Sequence, residues 1–165
     1  MELELKRGGR TARVETLGGE LVSYRDERGL EYIWGGDPAY WPGRNPLLFP
    51  IVGMLKEGKI RFDGREYAME RHGFARRREF TPAARGEDWV RLELRESAET
   101  LALYPYPFRL AVEQRLTDTG FSTAVTVANP GEGKTLPAPP HTAHPIRLQM
   151  RWRSSTCTVI MSLSV

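Results

Sequence analysis

The sequence predicts an all-β fold, an antiparallel β-sandwich or barrel. Three observations lead there. Short runs of alternating apolar and polar residues recur along the chain, Gly- and Asp-containing turns separate them, and only residues 96–103 have a pattern that suits a short helix or turn. Residues 3–7, 12–16 and 20–25 read as short strands divided by Gly8-Gly9 and Gly18-Gly19. Residues 30–34 read as a fourth strand, ended by Gly35-Gly36. Residues 59–62 and 65–69 alternate around Asp63-Gly64, a strong signal for a two-residue hairpin. Residues 89–95 place apolar side chains on one face and charges on the other. Residues 110–116 and 122–128 repeat this pattern around Thr117-Asp118-Thr119-Gly120.

Two stretches break the rhythm. Residues 37–50 hold Pro38, Pro42, Pro46 and Pro50 together with Tyr40 and Trp41, and read as a stiff extended loop. Such a loop either lids one end of the core or forms one wall of a ligand pocket, where its aromatic faces would suit the C–H surface of a carbohydrate. The second break is Pro137-Ala138-Pro139-Pro140. Beyond it, residues 151–157 show no clear amphipathic pattern, and residues 158–165 have strand propensity without an evident partner. The chain is therefore divided into a folded part, residues 1–136, and a divergent tail, residues 137–165.

Composition excludes several classes of function. An apolar share of 40% with 27% charged residues fits a soluble globular domain. No apolar run approaches the roughly 20 residues that span a bilayer, so no membrane partner is expected. The N-terminus, Met1-Glu2-Leu3-Glu4-Leu5, lacks the character of a signal peptide, and Cys157 is the single cysteine, which together indicate a cytoplasmic protein. The net charge of +3 becomes −1 for residues 1–132, because Lys134, Arg147, Arg151 and Arg153 carry +4 and no Asp or Glu follows Glu132. With no basic helix and no recognition motif, nucleic acid is not an expected partner. The three histidines lack ligand spacing with carboxylates and no nucleotide-binding loop is visible, so no metal or other cofactor is implied.

The most informative stretch is His72-Gly73-Phe74-Ala75-Arg76, which follows the 59–70 hairpin and the apolar, proline-framed run 45–53. A histidine between a strand end and a glycine is placed to face a cleft, and an imidazole donates or accepts a proton near neutral pH.

Several stretches together resemble the N-terminal part of the aldose 1-epimerase (galactose mutarotase-like) family. They are Leu17-Gly18-Gly19-Glu20-Leu21-Val22-Ser23, Glu31-Tyr32-Ile33-Trp34, residues 37–41 and 45–53, residues 64–67, residues 72–76, residues 104–108 and Val127-Ala128-Asn129-Pro130. The resemblance is closest to a bacterial branch with the HGFAR element, near the hexose-6-phosphate 1-epimerase-like proteins. It covers about residues 1–137 and a short Ala143-His144-Pro145. It implies a large antiparallel sandwich, of which this chain would hold an incomplete part, and an aldohexose or hexose phosphate as ligand.

Mutarotation opens and recloses a sugar ring, which needs a base at the C1 hydroxyl and an acid at the ring oxygen. By resemblance His72, Arg44 and Arg76 hold the sugar and His144 is the acid, with His141 as its competitor. The residues themselves leave two plainer readings open, a loop salt bridge for Arg44 and surface support for Arg76. The family's base is a late glutamate, and none follows Glu132 here. Glu66, Glu70 and Glu113 lie on alternating strands and read as solvent-face charges. Catalysis is then impaired and non-catalytic sugar binding becomes the alternative. In a hexose-phosphate reading, Arg76-Arg77-Arg78 would meet the phosphate. The coincidence of proline break, charge change and lost resemblance leads us to expect a shortened or frame-shifted chain. Half a sandwich exposes sheet edges and an inner apolar face, so the chain is expected to form a homodimer through those edges, to aggregate or to be only partly ordered.

Overall fold

The computed structural model describes residues 1–131, 147–153 and 156–164. It is built almost wholly of antiparallel strands. A three-stranded sheet is formed by β1 (Glu2–Arg7), β2 (Arg10–Glu15) and β3 (Glu20–Arg25) in sequence order. A separate hairpin pairs β4 (Lys59–Phe62) with β5 (Arg65–Ala68). Its turn residues Asp63 and Gly64 both take positive φ, 47° and 80°, the geometry that makes Asp-Gly favoured there. A six-stranded sheet adds β6 (Thr81–Arg85), β7 (Trp89–Arg95), β8 (Arg109–Thr117), β9 (Gly120–Ala128), β10 (Arg147–Arg153) and β11 (Thr156–Ser164), in the spatial order β10-β11-β9-β8-β7-β6.

The core follows from the alternation. Leu3 and Leu5 of β1, Val14 of β2, Val90 and Leu92 of β7, and Leu110, Val112 and Leu116 of β8 belong to one buried cluster that joins the small sheet to the large one. An aromatic group lies in the same core. Phe49 packs against Phe108 (ring centroids 5.1 Å apart), Phe74 (5.8 Å) and Tyr104 (6.0 Å). Helix α1 (Ala98–Leu103) is short and closed by a capping box: the Thr100 N–H donates to Ser97 Oγ, and the Ser97 N–H donates to Thr100 Oγ1.

Three features differ from the reading of the sequence. Residues 30–34 do not form a strand; a single bridge joins Arg25 to Glu31. The reason is the Glu31 side chain, whose carboxylate accepts from the N–H groups of Tyr24 (2.9 Å) and Ile33 (3.0 Å) and from Ser23 Oγ (2.5 Å). It thereby occupies the positions a ladder would use. Strand β6 has no alternating pattern because every one of its residues is exposed at the sheet edge, where Pro82 and a bulge between Pro82 and Ala84 interrupt pairing. The third concerns residues 158–165, for which the sequence offers no obvious partner. Residues 156–164 pair with β9 along its length, from Thr156 opposite Ala128 to Ser164 opposite Gly120.

Candidate functional site

Two sequence motifs, 45–53 and 72–76, are laced together by backbone hydrogen bonds. The His72 N–H donates to the Gly53 carbonyl (2.8 Å), and the Phe74 and Ala75 N–H groups both donate to the Phe49 carbonyl (2.9 and 3.2 Å). Gly73 makes this approach possible. Its φ is +71°, and a Cβ there would lie 2.1 Å from the Phe49 carbonyl oxygen, so no other residue fits without displacing backbone. Phe49 and Phe74 turn into the core on either side of the junction. His72 is left half-buried at the surface. Its φ of +69° is a conformation rarely taken by side-chain-bearing residues and costs roughly 1–3 kcal/mol. The surrounding hydrogen bonds hold it there.

The imidazole is oriented by its own backbone partner. The Gly53 N–H donates to His72 Nδ1 at 2.9 Å, so in the neutral ring the proton sits on Nε2. Burial, together with the charges of Arg71 and Arg76, lowers the His72 pKa below its ordinary 6.5. At neutral pH the side chain is therefore an uncharged ring offering a single N–H donor. That suits holding a hydroxyl oxygen better than supplying a proton.

Arg44 and Arg76 are organised by a shared element, the turn between β2 and β3. Glu20 Oε1 accepts from the Arg44 and Asn45 N–H groups (3.1 and 2.6 Å), fixing the start of the proline-framed run. The Gly18 N–H donates to the Arg78 carbonyl (2.8 Å), and a Cβ on Gly18 would lie 3.0 Å from the Arg76 carbonyl. Behind this turn, Thr123 Oγ1 donates to Gln114 Oε1 (2.6 Å) and Gln114 Nε2 donates to the Gly19 carbonyl (3.1 Å). This buried chain ties the turn to the large sheet.

The side chains of Arg44 and Arg76 are unusual among the described cations. Each is half-buried and neither has a carboxylate partner; the other unpaired lysines and arginines are exposed. The loop salt bridge weighed for Arg44 does not form among the described residues. Arg76 sits on a one-turn 310 segment (Ala75–Arg77), where Nη2 donates to the Arg71 carbonyl (3.0 Å) and Nε is buried without a partner. Arg77 and Arg78 are instead committed to Glu70 and Glu99. The three consecutive arginines therefore do not form one anion-binding fork.

His141 and His144 lie outside the described residues. Of the earlier carboxylates, Glu66 pairs with Lys59 and Arg61 (3.1 and 2.8 Å), Glu70 with Arg77, and Glu113 with Arg115 (2.9 Å). Among the described residues no group of three or more His, Cys, Asp or Glu is placed to hold a metal ion. No described helix is long and apolar enough to cross a membrane. A cleft of about 100 Å³ adjoins the His72 turn through Gly73 and Phe74, but His72, Arg44 and Arg76 do not line it. Sequence reasoning passed over Glu20 and Gln114 as organisers. The only signal for Glu20 is a carboxylate placed just after Gly18-Gly19, where a turn leaves backbone donors nearby.

The family model described as Aldose 1-epimerase matches residues 1–146. Protein LacX, in its plasmid form from Lactococcus lactis subsp. lactis, is 39% identical over 83% of this chain and 48% of its own length. The chromosomal form is 38% identical with the same coverage. A galactose mutarotase-like protein from Lactobacillus casei superposes with a TM-score of 0.76 at 32% identity, covering 78% of this chain and 44% of that one. The galactose mutarotase related enzyme from Lactobacillus acidophilus gives the same TM-score at 27% identity, covering 78% and 43%. The chain thus spans about half the length of the relatives it matches. With a family match over residues 1–146 that takes in both laced motifs, and an antiparallel fold shared with galactose mutarotase-like structures, this chain belongs to the aldose 1-epimerase family.

Proposed function

We propose that the chain binds an aldose at the junction of residues 45–53 with residues 72–76 and takes part in interconverting its α and β anomers. The observation that carries the reading is the fixed, uncharged imidazole of His72, with Nδ1 engaged by the Gly53 N–H. It presents one donor to a sugar hydroxyl. Arg44 and Arg76, half-buried and without carboxylate partners among the described residues, supply further donors suited to hydroxyl or ring oxygens. His144 is assigned to protonate the ring oxygen as the ring opens, and the C1 hydroxyl must lose its proton to a base.

The described carboxylates Glu66, Glu70 and Glu113, which the sequence offers as candidates for that base, are engaged with cations. This favours a second reading, sugar binding without efficient catalysis, since losing a positioned acid or base costs about 10²–10⁴-fold in rate. A hexose phosphate is the less favoured ligand, because Arg77 and Arg78 are already neutralised.

Polarimetry with α-glucose, α-galactose and glucose 6-phosphate separates these readings. Mutarotation faster than buffer, and lost in His144→Ala, is the outcome expected of the enzyme. Saturable sugar binding without acceleration identifies the binding module. Neither acceleration nor binding would overturn both.

A further inference from the structure

We propose that Trp34, Tyr40 and Trp41, beside Arg44, form a stacking wall for the apolar face of a pyranose ring. The proposal rests on the reading that the chain binds an aldose, and adds a recognition surface to it. The three rings are large apolar groups left exposed, at 41%, 82% and 44% respectively. Isolated exposed aromatics need no explanation, but three in one loop cluster do.

These rings are also held in place. Trp34 Nε1–H donates to the Trp41 carbonyl at 2.8 Å. Trp34 and Tyr40 meet edge to face, with centroids 6.4 Å apart and planes at 78°. Trp41 lies against the backbone of Gly43, where a Cβ would come within 2.7 Å of its ring, so the exposed part of the indole is directed away from that backbone. The loop beneath is pinned by Asp37, whose carbonyl accepts from the Tyr40 and Trp41 N–H groups (3.1 and 2.9 Å) and whose Oδ1 accepts from Ala39 N–H (2.9 Å). Rings already fixed in this way lose little freedom when a ligand covers them.

The occupant follows from what adjoins the rings. Arg44 Nε lies 3.3 Å from where a Gly36 Cβ would stand, so the guanidinium stem packs against the same loop. That guanidinium has no carboxylate partner among the described residues. An exposed aromatic surface, with Tyr40 set edge-on to Trp34, next to an uncommitted fork of donors matches a pyranose, which presents a C–H face with hydroxyls around its rim.

The test titrates the full chain with D-galactose, D-glucose and their methyl glycosides, followed by tryptophan fluorescence and calorimetry. Trp41→Ala and Trp34→Ala are expected to weaken binding about 3- to 10-fold, and Trp41→Phe, which keeps a flat face, by no more than about 2-fold. Thermal unfolding of each variant checks that the loop still folds. If wild type binds and His72→Ala does not, while the tryptophan variants bind like wild type, the wall is refuted and the aldose reading stands. If wild type binds none of these sugars, both fall. Size-exclusion chromatography supplies the remaining arm. Loss of a dimer in Trp41→Ala without change in sugar affinity would make the patch a self-association face and overturn the proposal.

Discussion

Glu31, Glu20 and Asp26 each turn a carboxylate toward backbone N–H groups that no strand satisfies. Glu31 takes those of Tyr24 and Ile33, Glu20 those of Arg44 and Asn45, and Asp26 those of Arg28 and Leu30. Buried backbone donors must find partners, and a carboxylate accepts several at once. Asp26 also binds the Arg28 guanidinium and the Tyr32 hydroxyl. Burial alone would raise its pKa, but these hydrogen bonds reverse the effect and hold it at about 2, against an ordinary 3.8. A carboxylate depressed on folding contributes stability that is fully present above its unfolded pKa and disappears as pH falls through the folded value. Asp26→Asn is therefore expected to lower the Tm at neutral pH and to flatten its fall between about pH 4 and 2. Thermal unfolding across that range checks this; an unchanged slope would contradict it.

At the level of elements, the hairpins were legible because turn chemistry and alternation agree. Asp63-Gly64 sits between strands paired as expected, and β8 and β9 meet around Asp118-Thr119. Edge elements were not legible. Strand β6 is wholly exposed, so no apolar face marks it. Residues 30–34 misled for the opposite reason, since Leu30, Tyr32 and Trp34 alternate while Glu31 consumes the hydrogen bonds of a neighbouring strand. The importance of residues 72–76 could be read from sequence, but not the reason for Gly73, which depends on the carbonyl of Phe49 from a distant segment. Gly73→Ala combines a positive φ with a backbone clash. It is expected to cost well over ~1 kcal/mol of stability and to abolish sugar binding with it. Denaturant unfolding measures the first effect, and a loss below that level would show that the junction yields easily.

Across the whole molecule, sheet and site are mechanically joined. The chain from Thr123 through Gln114 to Gly19 anchors the β2–β3 turn, and that turn in turn fixes the segments bearing Arg44 and Arg76. Only part of this was accessible from the sequence. The fold class and the two principal motifs follow from patterning and resemblance. The convergence of the motifs requires tertiary contacts between residues 19–53 and 72–78. The proposed acid, His144, and its competitor, His141, lie outside the described residues, so the central claim rests on His72. Calorimetric titration of an aldose into wild type and His72→Ala, repeated from about pH 8 to 5, tests that claim most directly. A neutral Nε2–H donor is expected to bind with constant affinity at neutral pH and more weakly as pH falls below the ordinary imidazole pKa of 6.5, because a proton on Nδ1 would face the Gly53 N–H. His72→Ala is expected to abolish binding. Equal affinity in wild type and His72→Ala would contradict the account.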